Sequence, residues 1–189
     1  MAGVGGTNIK RSNLHVALLR GINVGGKNKL PMVKLAALFA DAGCGEVRTY
    51  IQSGNVVFSA SEALARRVPG LLSRAIADEL GLEVPLLTRT AAELRDVVRQ
   101  NPFLRAGADL QSLHVGFLAA RPVASRVALL DPKRSPPDEF VVKGREIYLR
   151  LPNGAGNSKL SNQYLDSRLG TVSTVRNWRT VLQLLEMTG

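Results

Sequence analysis

Gly21, Gly26 and Lys27 stand at the spacing of a phosphate-binding loop: glycine, four residues, then Gly-Lys, following the apolar run Leu14 to Leu19. In such a loop the Gly-Lys-Ser/Thr residues open a helix, so that backbone N–H groups converge on phosphate and the hydroxyl holds magnesium. Here Asn28 occupies the hydroxyl position, and Pro31 biases Leu30 away from the α region, so the helix is expected to begin at Pro31. Nucleoside-triphosphate hydrolysis is therefore not expected. What remains is a glycine-rich connection of Arg20, Gly21, Asn23, Gly25, Gly26, Lys27 and Asn28. It can hold an anion on its N–H groups and cations without a metal, or it is a sharp turn in which the asparagines bond the backbone.

Three other stretches carry polar residues at suggestive positions. In LPNGAGNSK, Asn153, Gly154 and Gly156 precede Ser158, expected as a helix N-cap, and Lys159, which together would suit an anion. Arg176 and Asn177 fall in the first turn of the C-terminal helix, where a cation, an amide and the helix terminus suit phosphate or carboxylate. Tyr50, Gln52, Ser53 and Asn55 flank a turn and can read a polar ligand. Ser53 has no identifiable base, so it is not expected to be a nucleophile. A single site requires these stretches to meet. No metal cluster and no cofactor is expected; His15 and His114 lack carboxylate partners and suit strand-edge packing, and Cys44 suits a small buried thiol.

The elements that must position these residues follow from periodicity. Leu14 to Leu19 reads as a strand and Pro31 to Gly43 as a helix, and Val47 to Ile51 and Asn55 to Ser59 read as a hairpin turning at QSGN. Ser59 and Glu62 have capping-box spacing for a helix interrupted at Pro69, and Val84 to Thr88 supplies a strand. Thr90 and Glu93 cap a connecting helix. The order then repeats: strand His114 to Ala119, short helix Val123 to Leu130, hairpin Phe140 to Val142 and Ile147 to Leu151, helix Ser158 to Leu169, an extended piece from Val172 and a final helix. In that helix Trp178, Val181, Leu182 and Leu185 form a core-facing stripe.

Both halves read βαββαβ, so the expected class is α+β: two ferredoxin-like lobes from an internal duplication, with a C-terminal helix. The expected organisation is a flexible arm over 1–13, a first lobe over 14–90, a connecting helix and loop over 91–112 and a second lobe over 113–189. First and third strands of each lobe are expected to be central and parallel.

Composition sets the class of partner. Hydrophobic residues make up 45% of 189, enough for a core, and no apolar run approaches the roughly 18 residues of a membrane span. One cysteine excludes an internal disulfide. A cytoplasmic monomer without membrane attachment is expected. Twenty-five Lys and Arg against fifteen Asp and Glu give +10, which suits nucleic acid or a phosphate-bearing small molecule. The same charge, spread along the chain, also suits a plain solvated surface.

ALLRGINVGGKNKLPM, RTYIQSGNVVFS, LHVGFL, LPNGAGNSKL and TVRNWRTV, in this order, resemble the bacterial domain-of-unknown-function 1697 family from about Leu14 to the C-terminus. The resemblance implies an α+β fold with two similar lobes and no established activity, cofactor or substrate. Binding of an anionic nucleic-acid or nucleotide-like ligand through the basic loops is the leading expectation. An enzyme acting on a phosphorylated or carboxylated small molecule between the lobes, and a scaffold without ligand, are the alternatives.

Overall fold

The computed structural model describes residues 13–189, so the arm expected over 1–13 lies outside the described residues apart from Asn13, whose carbonyl accepts from the Ala60 N–H at 3.1 Å. The chain runs β1 (Leu14–Leu19), α1 (Met32–Asp41), β2 (Gly45–Tyr50), β3 (Asn55–Ser59), α2 (Glu62–Leu80), β4 (Leu86–Thr90), α3 (Ala91–Arg99) and α4 (Pro102–Arg105). It continues through β5 (Leu113–Leu118), α5 (Ala124–Val127), β6 (Glu139–Lys143), β7 (Glu146–Arg150), α6 (Asn162–Leu169), β8 (Ser173–Asn177) and α7 (Trp178–Met187).

Two four-stranded sheets result, ordered β2-β3-β1-β4 and β6-β7-β5-β8. This is the duplicated ferredoxin-like α+β arrangement, with α7 closing the chain. Alternate residues of each strand face different cores, as the two-residue strand period requires. On one side of the first sheet Ala17, Leu19, Val56 and Phe58 pack with Leu35 and Phe39 of α1 and Val68, Leu72 and Ile76 of α2. On its other side Val16, Leu18 and Val57 join Val115, Phe117 and Tyr148 of the second sheet, together with Leu94 and Val97 of α3 and Trp178, Val181 and Leu184 of α7. A third cluster, Leu118, Ile147 and Leu149 against Leu165 and Leu169 of α6, covers the remaining face. The lobes are thus joined by a shared core.

Several local expectations are corrected. The central strands of each lobe are indeed the first and third, but every adjacent pair is antiparallel, so the loops that follow them leave opposite ends of the sheet. Pro31 is the N-cap and α1 starts at Met32. Ser59 is buried in β3; Ser61 caps α2 instead, accepting from Leu64 N–H at 3.3 Å. The helix runs through Pro69 because proline removes one bond while Val68 and Leu72, buried on either side, hold the backbone in place. Ser158 ends a short 3-10 turn, and Ser161 caps α6. In α7 the buried stripe is Trp178, Val181 and Leu184, whereas Leu182 is 38% exposed. The capping box of Thr90 and Glu93 is present as expected.

Candidate functional site

Arg176 is the side chain around which the site is built. It lies in β8, one residue before Asn177, which is the N-cap of α7 and accepts from Thr180 N–H at 2.8 Å. The expected first-turn position is therefore corrected: Arg176 sits on a strand and is only 8% exposed. Its guanidinium crosses to the first lobe. Nε donates to Asn55 Oδ1 at 2.6 Å, and Nη2 donates to the carbonyls of Leu19 at 2.5 Å and Ser53 at 3.2 Å. Nη1 turns back to Thr174 Oγ1 at 2.7 Å and the Val175 carbonyl at 3.0 Å.

Arg89 makes the reciprocal reach from the first lobe. Located in β4 one residue before Thr90, the cap of α3, it is 2% exposed. Its Nη2 donates to the carbonyls of Leu118 at 2.8 Å and Arg145 at 3.0 Å, Nη1 to Thr88 at 2.9 Å, and Nε to Glu146 Oε1 at 2.9 Å. Residue for residue, Leu118 corresponds to Leu19, Arg145 to Gly54 and Glu146 to Asn55, since Leu19 N–H bonds Gly54 as Leu118 N–H bonds Arg145. The correspondence isolates one difference. Arg89 faces a carboxylate and Arg176 faces a neutral amide.

Electrostatics follow from that substitution. Burial lowers the pKa of Arg89, opposed chiefly by Glu146. For Arg176 burial brings the pKa down to about 10, still far above neutrality, so a cation without a counter-ion among the described residues is held inside the fold. A buried charge without a counter-ion is costly, and such positions concentrate at sites that receive charge.

Beside Arg176 opens a cleft of about 400 Å³ lined by Arg20, Gly21, Val24, Ile51, Ser53, Asn162 and Thr174, among others. Arg20 follows β1 and bridges the lobes, pairing with Asp166 of α6 and donating to the Ser173 carbonyl at 3.1 Å; among the described residues both contacts use Nη1. Asp166 also accepts from Ser173 N–H and Oγ at 2.7 and 2.6 Å, which orients it toward Arg20. A larger hollow of about 550 Å³, between α7 and Asp109 to Gln111, is mainly walled by apolar groups and carries Asp109 and Glu186 against Arg179. It offers an anion no excess of positive charge.

The candidate residues separate into two groups. Arg20, Gly21, Ser53, Arg176 and Asn177 line the cleft, and Asn55 completes the Arg176 shell. Asn23 ties the glycine loop to the turn, donating to the carbonyls of Gln52 at 2.9 Å and Leu30 at 2.8 Å, while Asn28 donates to Gly21 at 2.9 Å. Gly25, Gly26 and Lys27 form the loop tip, closed by Lys27 N–H to the Val24 carbonyl, and Tyr50 packs against the shared core. LPNGAGNSK does not join them. Asn153, Gly154, Gly156, Ser158 and Lys159 do not line the cleft, and Lys159 N–H bonds Ser135 Oγ at 3.0 Å; the following helix α6 contributes Asn162 to the lining. Asn28 and Gly21 both take positive φ, and α1 starts beyond Pro31, so the loop is not the start of a helix. The pairing of Arg89 with Glu146 is not readable from the sequence because the two are 57 positions apart; the one local signal is that Arg89, like Arg176, stands one residue before a helix cap.

Among the described residues no group of three His, Cys, Asp or Glu is arranged to hold a metal, and no helix is long and apolar enough to cross a membrane. No curated protein matches the sequence. Among solved structures, a conserved bacterial protein from Streptococcus pneumoniae has a TM-score of 0.69 and 21% identity, covering 93% of this chain and 98% of that one. At that identity the likeness is one of fold. A family model described as "Protein of unknown function (DUF1697)" matches residues 13–148, from the start of β1 into β7, and the chain belongs to that family.

Proposed function

We propose that the protein binds a small anion, such as a nucleotide-like phosphate or a carboxylate, in the cleft between its lobes. The supporting observation is the asymmetry of the two lobe-crossing arginines: Arg89 carries its counter-ion in Glu146, whereas Arg176 has none among the described residues and lies beside an open cleft. A bound anion would supply the missing charge. Arg176 spends its N–H groups on the protein, so it would act on the ligand as a fixed charge, while Arg20 Nε and Nη2, Ser53 and Asn162 would supply hydrogen bonds. Binding is what the geometry supports. Ser53 Oγ accepts from Asn55 Nδ2 at 2.9 Å, and Asp166 is engaged by Arg20 and Ser173, an arrangement without an activated nucleophile.

A polyanion is the second reading, favoured by +10 and by Arg66, Arg67 and Arg74 around the side-chain gap at Gly70 on α2. Thermal shift with inorganic phosphate, acetate and a nucleoside monophosphate, in chloride-free buffer, separates the two. Small-anion stabilisation should be lost in Asn55→Asp, which gives Arg176 an internal carboxylate. Stabilisation by nucleic acid alone, falling steeply with salt and indifferent to Asn55→Asp, would select the polyanion instead.

A further inference from the structure

The mouth of the cleft has an unusual composition for a site built on charge. Val24, at the tip of the glycine loop, is 63% exposed, and Ile51, in the turn between β2 and β3, is 52% exposed; both line the cleft, with Leu19 and Ile22 behind them. The two are brought together by Asn23, whose side chain links the loop to the Gln52 carbonyl.

Ile51 is also held in a conformation its side chain disfavours. Its φ is +46, and among the described residues it is the one β-branched side chain with positive φ. Asn23 and Asn28 tolerate that region, and Glu46 sits at the irregular register of β2, but a β-branched residue there is an outlier. Its neighbours prevent relaxation. Asn55 Nδ2 donates to the Tyr50 carbonyl at 3.2 Å on one side, and Gly54, at φ +75, closes the turn on the other, where any Cβ would meet Leu19 Cβ at 2.7 Å. Asparagine or glycine at position 51 would satisfy the turn without strain. An exposed, strained isoleucine beside a charged cleft makes chemical sense if its side chain has something to touch, and strain of this kind gathers at ligand contacts.

Resting on the anion reading above, we infer that the ligand is a small organic acid with an apolar body, its anionic head toward Arg20 and Arg176 and its body against Ile51 and Val24. A free inorganic anion or a solvated phosphate backbone would leave both apolar side chains in water. The apolar half of the cleft then sets affinity and the cationic half sets orientation.

Calorimetric titration with hexanoate and benzoate against acetate and inorganic phosphate tests this, using wild type, Ile51→Asn and Val24→Ser. In wild type, hexanoate or benzoate should bind about tenfold or more tightly than acetate, the advantage expected from covering one aliphatic side chain. Ile51→Asn should erase that preference and raise the melting temperature of the free protein. Val24→Ser should weaken the preference without the gain in melting temperature. Equal binding of acetate and hexanoate by wild type, or a preference that survives both substitutions, would overturn the inference while leaving anion binding intact. Failure of every anion to bind wild type would remove both.

Discussion

His15 and His114 occupy matching places at the starts of β1 and β5, paired with Thr90 and Asn177, the caps of α3 and α7. Burial lowers the pKa of each below 6.5; for His114 the Ser112 carbonyl at 3.2 Å opposes this weakly, and for His15 the Ala60 backbone and the charges of Glu93 and Glu62 do. The unfolded chain therefore binds protons that the folded one refuses. Their contribution to stability is present above pH 6.5 and is lost as the pH falls below it through the lowered folded values. Urea unfolding between about pH 7.5 and 5 should show this fall, and His15→Gln with His114→Gln should flatten it; an unchanged slope would assign the loss to carboxylates. At this scale the sequence was a mixed guide. The sequence suggests strand-edge packing for both histidines, whereas β1 and β5 are central strands and both side chains are buried; it suggests a helix first turn for Arg176, which is instead buried on β8 because its acceptors Leu19, Ser53 and Asn55 are more than a hundred positions away.

Elements were legible where their signals are local. Thr90 and Glu93 are three residues apart and form their capping box. The sequence suggests Ser158 as the start of α6, but Ser161 is the cap: the Ser158 hydroxyl accepts from Leu160 N–H and Lys159 docks on Ser135, which delays the helix by three residues. Helix α2 shows the opposite case, where tertiary packing carries a helix across Pro69 and Gly70. Gly70 is exposed, lacks a positive φ, and has nothing within 4 Å of where a Cβ would stand. Gly70→Ala should therefore stabilise the protein by about 0.5–1 kcal/mol in chemical denaturation. Loss of stability would mean that α2 needs the gap at that position. The same substitution fills the space between Arg66, Arg67 and Arg74, so it also tests the polyanion surface without touching the cleft.

For the whole molecule the governing fact is that each lobe completes its sheet ends with an arginine from the other. The duplicated βαββαβ order was readable from the repeating pattern of strands and helices, whereas the reciprocal crossing was not, because nothing in either repeat says how the copies face one another. Arg89→Met should cost about 3–5 kcal/mol, since it leaves the half-buried Glu146 carboxylate and the Leu118 and Arg145 carbonyls without their donor. Adding Glu146→Gln should recover part of that loss. A double variant as unstable as the sum of the two singles would show that the pair is not coupled. With the core of Val16, Val57, Phe117 and Trp178 shared between sheets, both lobes should melt in one transition by circular dichroism and by Trp178 fluorescence.

The separation between Arg176 and its acceptors also orders events during synthesis. Arg89 meets Leu118 after only 29 further residues, but the carbonyl of Leu19 waits for a residue 157 positions downstream. The N-terminal half of the chain therefore leaves the ribosome with that strand end open, and the wall of the cleft is laid last, when the C-terminal residues emerge. Closing so long a loop gains its contacts late, after most of the chain has folded. Molecules cut short before β8 would keep the whole stretch matched by the family model and lack the cation on which the cleft depends.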